Sequence, residues 1–260
     1  MTLRTKWDSD SNHEGTTAGS PAAMSPFPHY FALMQPIILL HGALGAAASL
    51  TPLKSALGSA PEAHVLEFSG HGNTAWPVEF NIDTFEADVL NFMDARGLDS
   101  AHIFGYSMGG FVGLRLAARS PERILSVTTL ATKMDWTEET CTKEASMLNA
   151  DVLEARVPKF VAALDVAHPA AGWRKMVEYT QQVLQGMHRY RFSPEMLAEI
   201  KQPVRMMVGD RDKMVSMAET IDAYRALPNA SLCILPDTPH PLEAADVQLV
   251  AELVRGNMVS

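Results

Sequence analysis

The chain has 260 residues, 47% of them hydrophobic and 20% charged, with a formal net charge of −9. That length accommodates one α/β domain with an insertion, or two small domains. The acidic balance and the lack of a basic stripe exclude a phosphate backbone as partner, so no nucleic acid is expected, and they disfavour anionic membrane surfaces.

Residues 1–28 are polar and rich in Ser, Thr, Gly and Pro, without the charged-then-apolar order of a secretory signal. They are expected to form a disordered leader. Phe31–Leu50 lacks Asp, Glu, Lys and Arg, which suggests a membrane span. However, Gln35-Pro36, His41-Gly42 and Gly45 interrupt it. The better account is a strand at Ile37–Leu40 followed by a glycine-bearing loop. A soluble, cytoplasmic protein with no membrane partner is therefore expected.

From Pro36 onward, short apolar runs alternate with helical patterns. Strands are predicted at Ile37–Leu40, His64–Phe68, Ala101–Tyr106, Leu125–Leu130, Val204–Val208 and Ser231–Leu235, with His29–Met34 as a further candidate. Helices are predicted at Ala48–Leu57, Asp83–Arg96, Met108–Arg119, Met217–Leu227 and Leu242–Arg255. Runs that are apolar throughout fit strands covered on both faces. The order implies a mostly parallel, doubly wound sheet with helices on both sides, and ligands at the carboxyl ends of its strands. Between Lys133 and Lys201 only helical patterns occur (Thr137–Leu148, Asp151–Leu164, Gly172–Met187 and Ser193–Ile200), with breaks at Pro158, Pro169 and Pro194. So long a stretch is no connecting loop. Residues 133–201 are expected to be a helical cap inserted into an α/β core made of residues 29–132 and 202–260.

Gly105-Tyr106-Ser107-Met108-Gly109 stands where a strand hands over to a helix. Small residues two positions either side of a serine permit a turn too sharp for larger side chains. The hydroxyl then projects clear of the sheet, and the Met108 amide at the helix N-terminus can donate to an anion. A nucleophilic serine needs a base, an orienting acid and donors for an oxyanion. His240 lies between the last strand and the last helix, in a loop that opens at the same sheet edge, and is the expected base. The acid should follow Val204–Val208, where Asp210 and Asp212 both occur. Asp212, further round the turn, is better placed to reach the histidine, whereas Asp210 suits capping the turn through its own backbone. Asp135 is a third candidate. The second oxyanion donor is expected in His41-Gly42-Ala43-Leu44-Gly45, from the Ala43 amide with Leu44 next, while His41 braces the loop. His168 and His188 fall in the cap, where a solvated histidine is the expected fate of each.

The chain from residue 36 to 256 resembles the α/β-hydrolase fold family with a helical cap. The resemblance is carried by His41–Gly45, Ser69-Gly70-His71-Gly72-Asn73-Thr74, Gly105–Gly110, Gly209-Asp210-Arg211-Asp212 and Pro239-His240-Pro241, in the family's order of serine, acid, histidine. It implies Ser107 as nucleophile, Asp212 as acid, His240 as base, Ala43 and Met108 as oxyanion amides, and His71 as a structural loop histidine. A serine nucleophile, in place of aspartate, sets the chain apart from relatives that open epoxides or remove halogens. Tyr106 departs from the small or amide residue common in relatives that cleave carbon–carbon bonds.

The expected activity is hydrolysis of small to medium carboxylic esters or thioesters through an acyl-enzyme. A carbon–carbon hydrolase or lyase using the same triad, or a small-molecule receptor on this fold, is the alternative. The partner is then a small ester or thioester, with no organic cofactor and no metal, and the sequence is silent on oligomeric state. Leu44, Tyr106, Trp136 and Trp173 are candidate pocket residues. Cys141 and Cys233 show no metal or redox spacing and are expected to be reduced, packed thiols.

Overall fold

A computed structural model describes residues 35–259. The expectations of a leader at 1–28 and a strand at His29–Met34 lie outside the described residues. Among the described residues six strands form one sheet: β1 (Ile37–Leu40), β2 (Ala63–Leu66), β3 (Ala101–Tyr106), β4 (Ile124–Leu130), β5 (Val204–Gly209) and β6 (Ala230–Leu235). Their spatial order is β2-β1-β3-β4-β5-β6, and every pairing is parallel.

The central strands read as unbroken apolar runs because both faces are covered. In β1, Ile38 and Leu40 point into one core, and Ile37 and Leu39 point into the other. The first core is closed by α2 (Ile82–Ala95) and α3 (Met108–Arg119), and the second by α1 (Thr51–Leu57) and α10 (Val247–Met258). The chain runs from β1 outward to β2, then returns to place β3 on the other side of β1. This reversal opens a crevice beyond the carboxyl ends of β1 and β3.

Between β4 and β5 come α4 (Glu138–Ser146), α5 (Ala150–Arg156), α6 (Pro158–Ala167), α7 (Trp173–Gly186) and α8 (Pro194–Ala198), with α9 (Met217–Ala226) after β5. The helical run Asp151–Leu164 is two helices. Pro158 opens α6 and pushes Val157 out of the helical region, to φ −136° and ψ 55°. The last helix also starts later than the pattern from Leu242 suggests. Leu242–Ala244 is a single 3₁₀ turn, and the Asp246 side chain then caps α10 by accepting from the Gln248 and Leu249 amides. No helix among the described residues is long and apolar enough to cross a membrane.

Candidate active site

Ser107 sits between β3 and α3 with φ 52° and ψ −114°, a conformation that costs a non-glycine residue about 1–3 kcal/mol. The surroundings hold it there. Its amide donates to the Leu130 carbonyl at 2.8 Å, and its own carbonyl accepts from the Gly110 and Phe111 amides and the Thr132 hydroxyl at 3.1–3.2 Å. The flanking glycines are steric necessities. A Cβ on Gly105 would strike the backbone of Gly109 and Gly110, and one on Gly109 would strike the carbonyl oxygens of Leu40 and His41.

His240 Nδ1 donates to Asp212 Oδ2 at 2.8 Å. The Asp212 side chain is entirely buried, and its Oδ1 accepts from the Met214 and Val215 amides, each at 2.8 Å. Burial pushes the Asp212 carboxyl up, but the His240 bond and the two amides outweigh it, so it lies below the ordinary aspartate value. Across the site, the Tyr106 hydroxyl donates to the His240 carbonyl at 3.0 Å and fixes the histidine loop against the end of β3. Burial, reinforced by Glu243 and Asp212, raises the Tyr106 phenol and keeps it neutral. Asp210 does not cap its own turn. Its carboxylate accepts from the Thr238 amide at 3.3 Å and so ties the β5 loop to the β6 loop. Asp135 is exposed, and its carboxylate accepts from Thr140.

A cavity of about 470 Å³ opens over Ser107, His240, Ala43, Leu44, Tyr106 and Met108. Beyond this floor its walls are mainly apolar and come mostly from the inserted segment, with Trp136, Leu148, Leu153, Phe160, Val183 and Leu184 among them, though Lys133 and Glu144 line it too. Trp173 is not in the lining. At the first turn of α7 its ring lies 4.6 Å from the Arg174 guanidinium, so the expectation for it is corrected. The Met108 amide is the first of α3 and has no acceptor within the helix.

The loop after β1 is held by His41, the residue expected to brace it, together with Glu67 and His168, whose part in it no local pattern revealed. His41 Nδ1 donates to the Gly42 carbonyl at 2.9 Å, and Glu67 Oε1 accepts from the Ala47 amide at 2.8 Å and lies 3.3 Å from His41 Nε2. Glu67 is the one acidic residue in the run His64–Phe68, and that interruption was its available signal. His168 is fully buried, contrary to the solvated position expected of it, and it bonds to both the Leu44 carbonyl and the Gly72 amide. His188 is exposed. His71 is buried, with Nδ1 donating to the Ser69 carbonyl at 3.2 Å and its ring stacked on Phe80.

Comparison with known proteins places this geometry in context. A 94-residue stretch is 33% identical to ethanol acetyltransferase 1 of Cyberlindnera jadinii, covering 35% of this chain but only 28% of that protein. RutD of Agrobacterium fabrum, provisionally named a carbamate hydrolase, is 25% identical over 239 residues, covering 82% of this chain and 89% of that one. Among solved structures, 2-hydroxy-6-oxo-6-phenylhexa-2,4-dienoate hydrolase from Rhodococcus superposes with a TM-score of 0.72 at 19% identity, covering 87% of this chain and 91% of that one. Est816, described as an N-acyl homoserine lactone degrading enzyme, gives 0.70 at 19% identity, with 85% and 92% covered. At such identities the likeness is one of fold. The family model for the alpha/beta hydrolase fold matches residues 35–190, and with it the β2-β1-β3-β4-β5-β6 parallel sheet and the strained turn at Ser107 assign the chain: it belongs to the alpha/beta hydrolase fold family.

Proposed function

We propose that the protein is a serine hydrolase of small to medium carboxylic esters or thioesters, working through an acyl-enzyme. The observation that carries this reading is the 2.8 Å bond from His240 Nδ1 to a buried Asp212, with His240 and Ser107 lining one cavity. Asp212 holds the ring in the tautomer that leaves Nε2 free to take a proton. Ser107 attacks the acyl carbon as His240 accepts its proton, and the Ala43 and Met108 amides receive the oxyanion. His240 then protonates the departing alcohol or thiol. A water, deprotonated by His240, attacks the acyl-enzyme, and the acid leaves as Ser107 regains its proton.

The mainly apolar walls suit an alkyl or aryl acyl group. The stretch shared with the ethanol acetyltransferase favours a second fate for the acyl-enzyme, attack by an alcohol in place of water. The test is a panel of p-nitrophenyl esters and coenzyme A thioesters of increasing chain length, run with and without ethanol. Turnover that falls about 10⁴-fold or more in Ser107→Ala, with a fluorophosphonate labelling Ser107 in the parent, is the expected result. Turnover of none of the panel and no labelling of Ser107 would overturn the reading. Ethyl ester formation would identify the alcohol route.

A further inference from the structure

We propose that His168 is a positioning residue: in its neutral form it clamps the loop that carries the Ala43 oxyanion donor to the inserted helices. This rests on the hydrolase reading for the role of Ala43, but not for the clamp itself. His168 follows the last turn of α6. Its backbone is fixed on both sides, with its amide donating to the Leu164 carbonyl and its own carbonyl accepting from Gly172, each at 2.9 Å. The ring reaches across to the sheet edge. Nε2 lies 3.1 Å from the Leu44 carbonyl and Nδ1 lies 2.9 Å from the Gly72 amide.

These two bonds select one protonation state. A carbonyl can only accept and an amide can only donate, so Nε2 must carry a proton and Nδ1 must not. Protonating Nδ1 would set two donors face to face across 2.9 Å inside a fully buried site. The groups around the ring divide, the Leu44 carbonyl favouring the charged form and His41 opposing it. His71, in the loop after β2, has its ring centroid 5.8 Å away, and His41, after β1, repels a charge on His168. Glu67 favours the charge, yet its oxygen is engaged with the Ala47 amide and His41. Burial dominates and lowers the His168 value below that of an ordinary histidine.

The loop needs such a clamp. Leu44 has φ 58°, an unfavourable conformation for a branched side chain that persists only when its surroundings over-determine it. The Gly42 carbonyl belongs to the same trans peptide as the Ala43 N–H, so the His41 bond to that carbonyl aims the amide the opposite way. His168 holds the next turn of the same loop through Leu44. The Ala43 amide is thus framed by two histidines, and one of them belongs to the insertion.

The test uses the full chain with 15N-labelled histidine. The expected spectrum shows His168 neutral, protonated at Nε2 and accepting at Nδ1, and titrating at lower pH than an unstructured histidine. A protonated Nδ1 near neutral pH, or an unshifted titration, would overturn the clamp. These spectra are read whether or not an ester is turned over, so failure of the clamp and failure of the hydrolase reading are separate results.

Kinetics on the ester panel test the positioning. His168→Leu should lose about 10- to 100-fold in kcat with KM within about threefold. His168→Gln, whose amide can donate to Leu44 and accept from Gly72, should restore most of that loss. In the parent the acid limb of log kcat/KM should be steeper than in His168→Gln, since protonating His168 adds a loss of up to about 10- to 100-fold. A His168→Leu enzyme within about threefold of the parent, or equal pH slopes, would overturn the positioning role.

Discussion

Asp212 divides its two carboxylate oxygens between two tasks: Oδ2 takes the His240 ring N–H at 2.8 Å, and Oδ1 takes the Met214 and Val215 amides. The amides hold the carboxylate still, so the imidazole is oriented by an anchored partner. Asp212→Asn can keep the two amide bonds through its carbonyl oxygen but then presents an NH₂ group to the ring, which favours the wrong tautomer. A fall of about 10⁴-fold in kcat with little change in KM is expected. Asp210→Asn, at the turn between the loops, should stay within about threefold. Steady-state ester hydrolysis by both variants checks this, and equal losses would remove Asp212 from its assigned role.

The strain at Ser107 sets activity against stability. Its φ of 52° costs a non-glycine residue about 1–3 kcal/mol, whereas glycine tolerates it. The extra freedom of glycine in the unfolded chain costs up to about 1 kcal/mol in return. Strain relief is the larger effect, so Ser107→Gly should raise the unfolding free energy by about 1 kcal/mol while abolishing ester turnover. A urea midpoint lower than that of the parent would refute this.

Chain-length preference should follow the cavity walls. Leu184 lines the pocket from α7, and a tryptophan there would fill the space that a longer acyl chain requires. Leu184→Trp is expected to reduce kcat/KM for an octanoyl ester about 10-fold and to leave an acetyl ester within about twofold. A uniform loss across the series would mean that Leu184 does not touch the acyl chain.

The sheet and the turn at Ser107 were legible because their signals are local. Ile37–Leu40 is apolar throughout since both faces are buried, and two glycines bracket the serine since nothing larger fits. Likewise His240 and Asp212 follow strands, and strand ends in a parallel sheet share one edge. The clamp was not legible, because the partners of His168 lie 96 and 124 residues away and no local pattern links them. Trp173 was misassigned for a related reason: periodicity marks a helix without fixing which face meets the cavity. The onset of α10 depended on one side chain, Asp246, capturing two amides.

Buried histidines should also make the fold acid-sensitive well above the carboxylate range. Burial lowers His71, His168 and His64 below the ordinary value of 6.5, most strongly His71. A histidine held neutral in the folded state takes up its proton more readily when unfolded, so the unfolded chain binds more protons as pH falls through about 6.5, and stability falls with it. Asp212 and Glu67 add a second loss at lower pH, because their folded values are depressed and their stabilisation disappears as they protonate. Glu86 and Asp88 act in the opposite sense, because burial raises them and the folded state takes up their protons first, but carboxylates ordinarily titrate near 4, so between pH 8 and about 5.5 the three histidines set the trend. The urea midpoint is therefore expected to drop across that interval. His71→Phe should flatten the drop, because it keeps a ring against Phe80 and removes the titrating group. A parent midpoint that stays level from pH 8 to 5.5, or a His71→Phe variant that falls just as steeply, would show that these imidazoles do not control the acid stability of the fold.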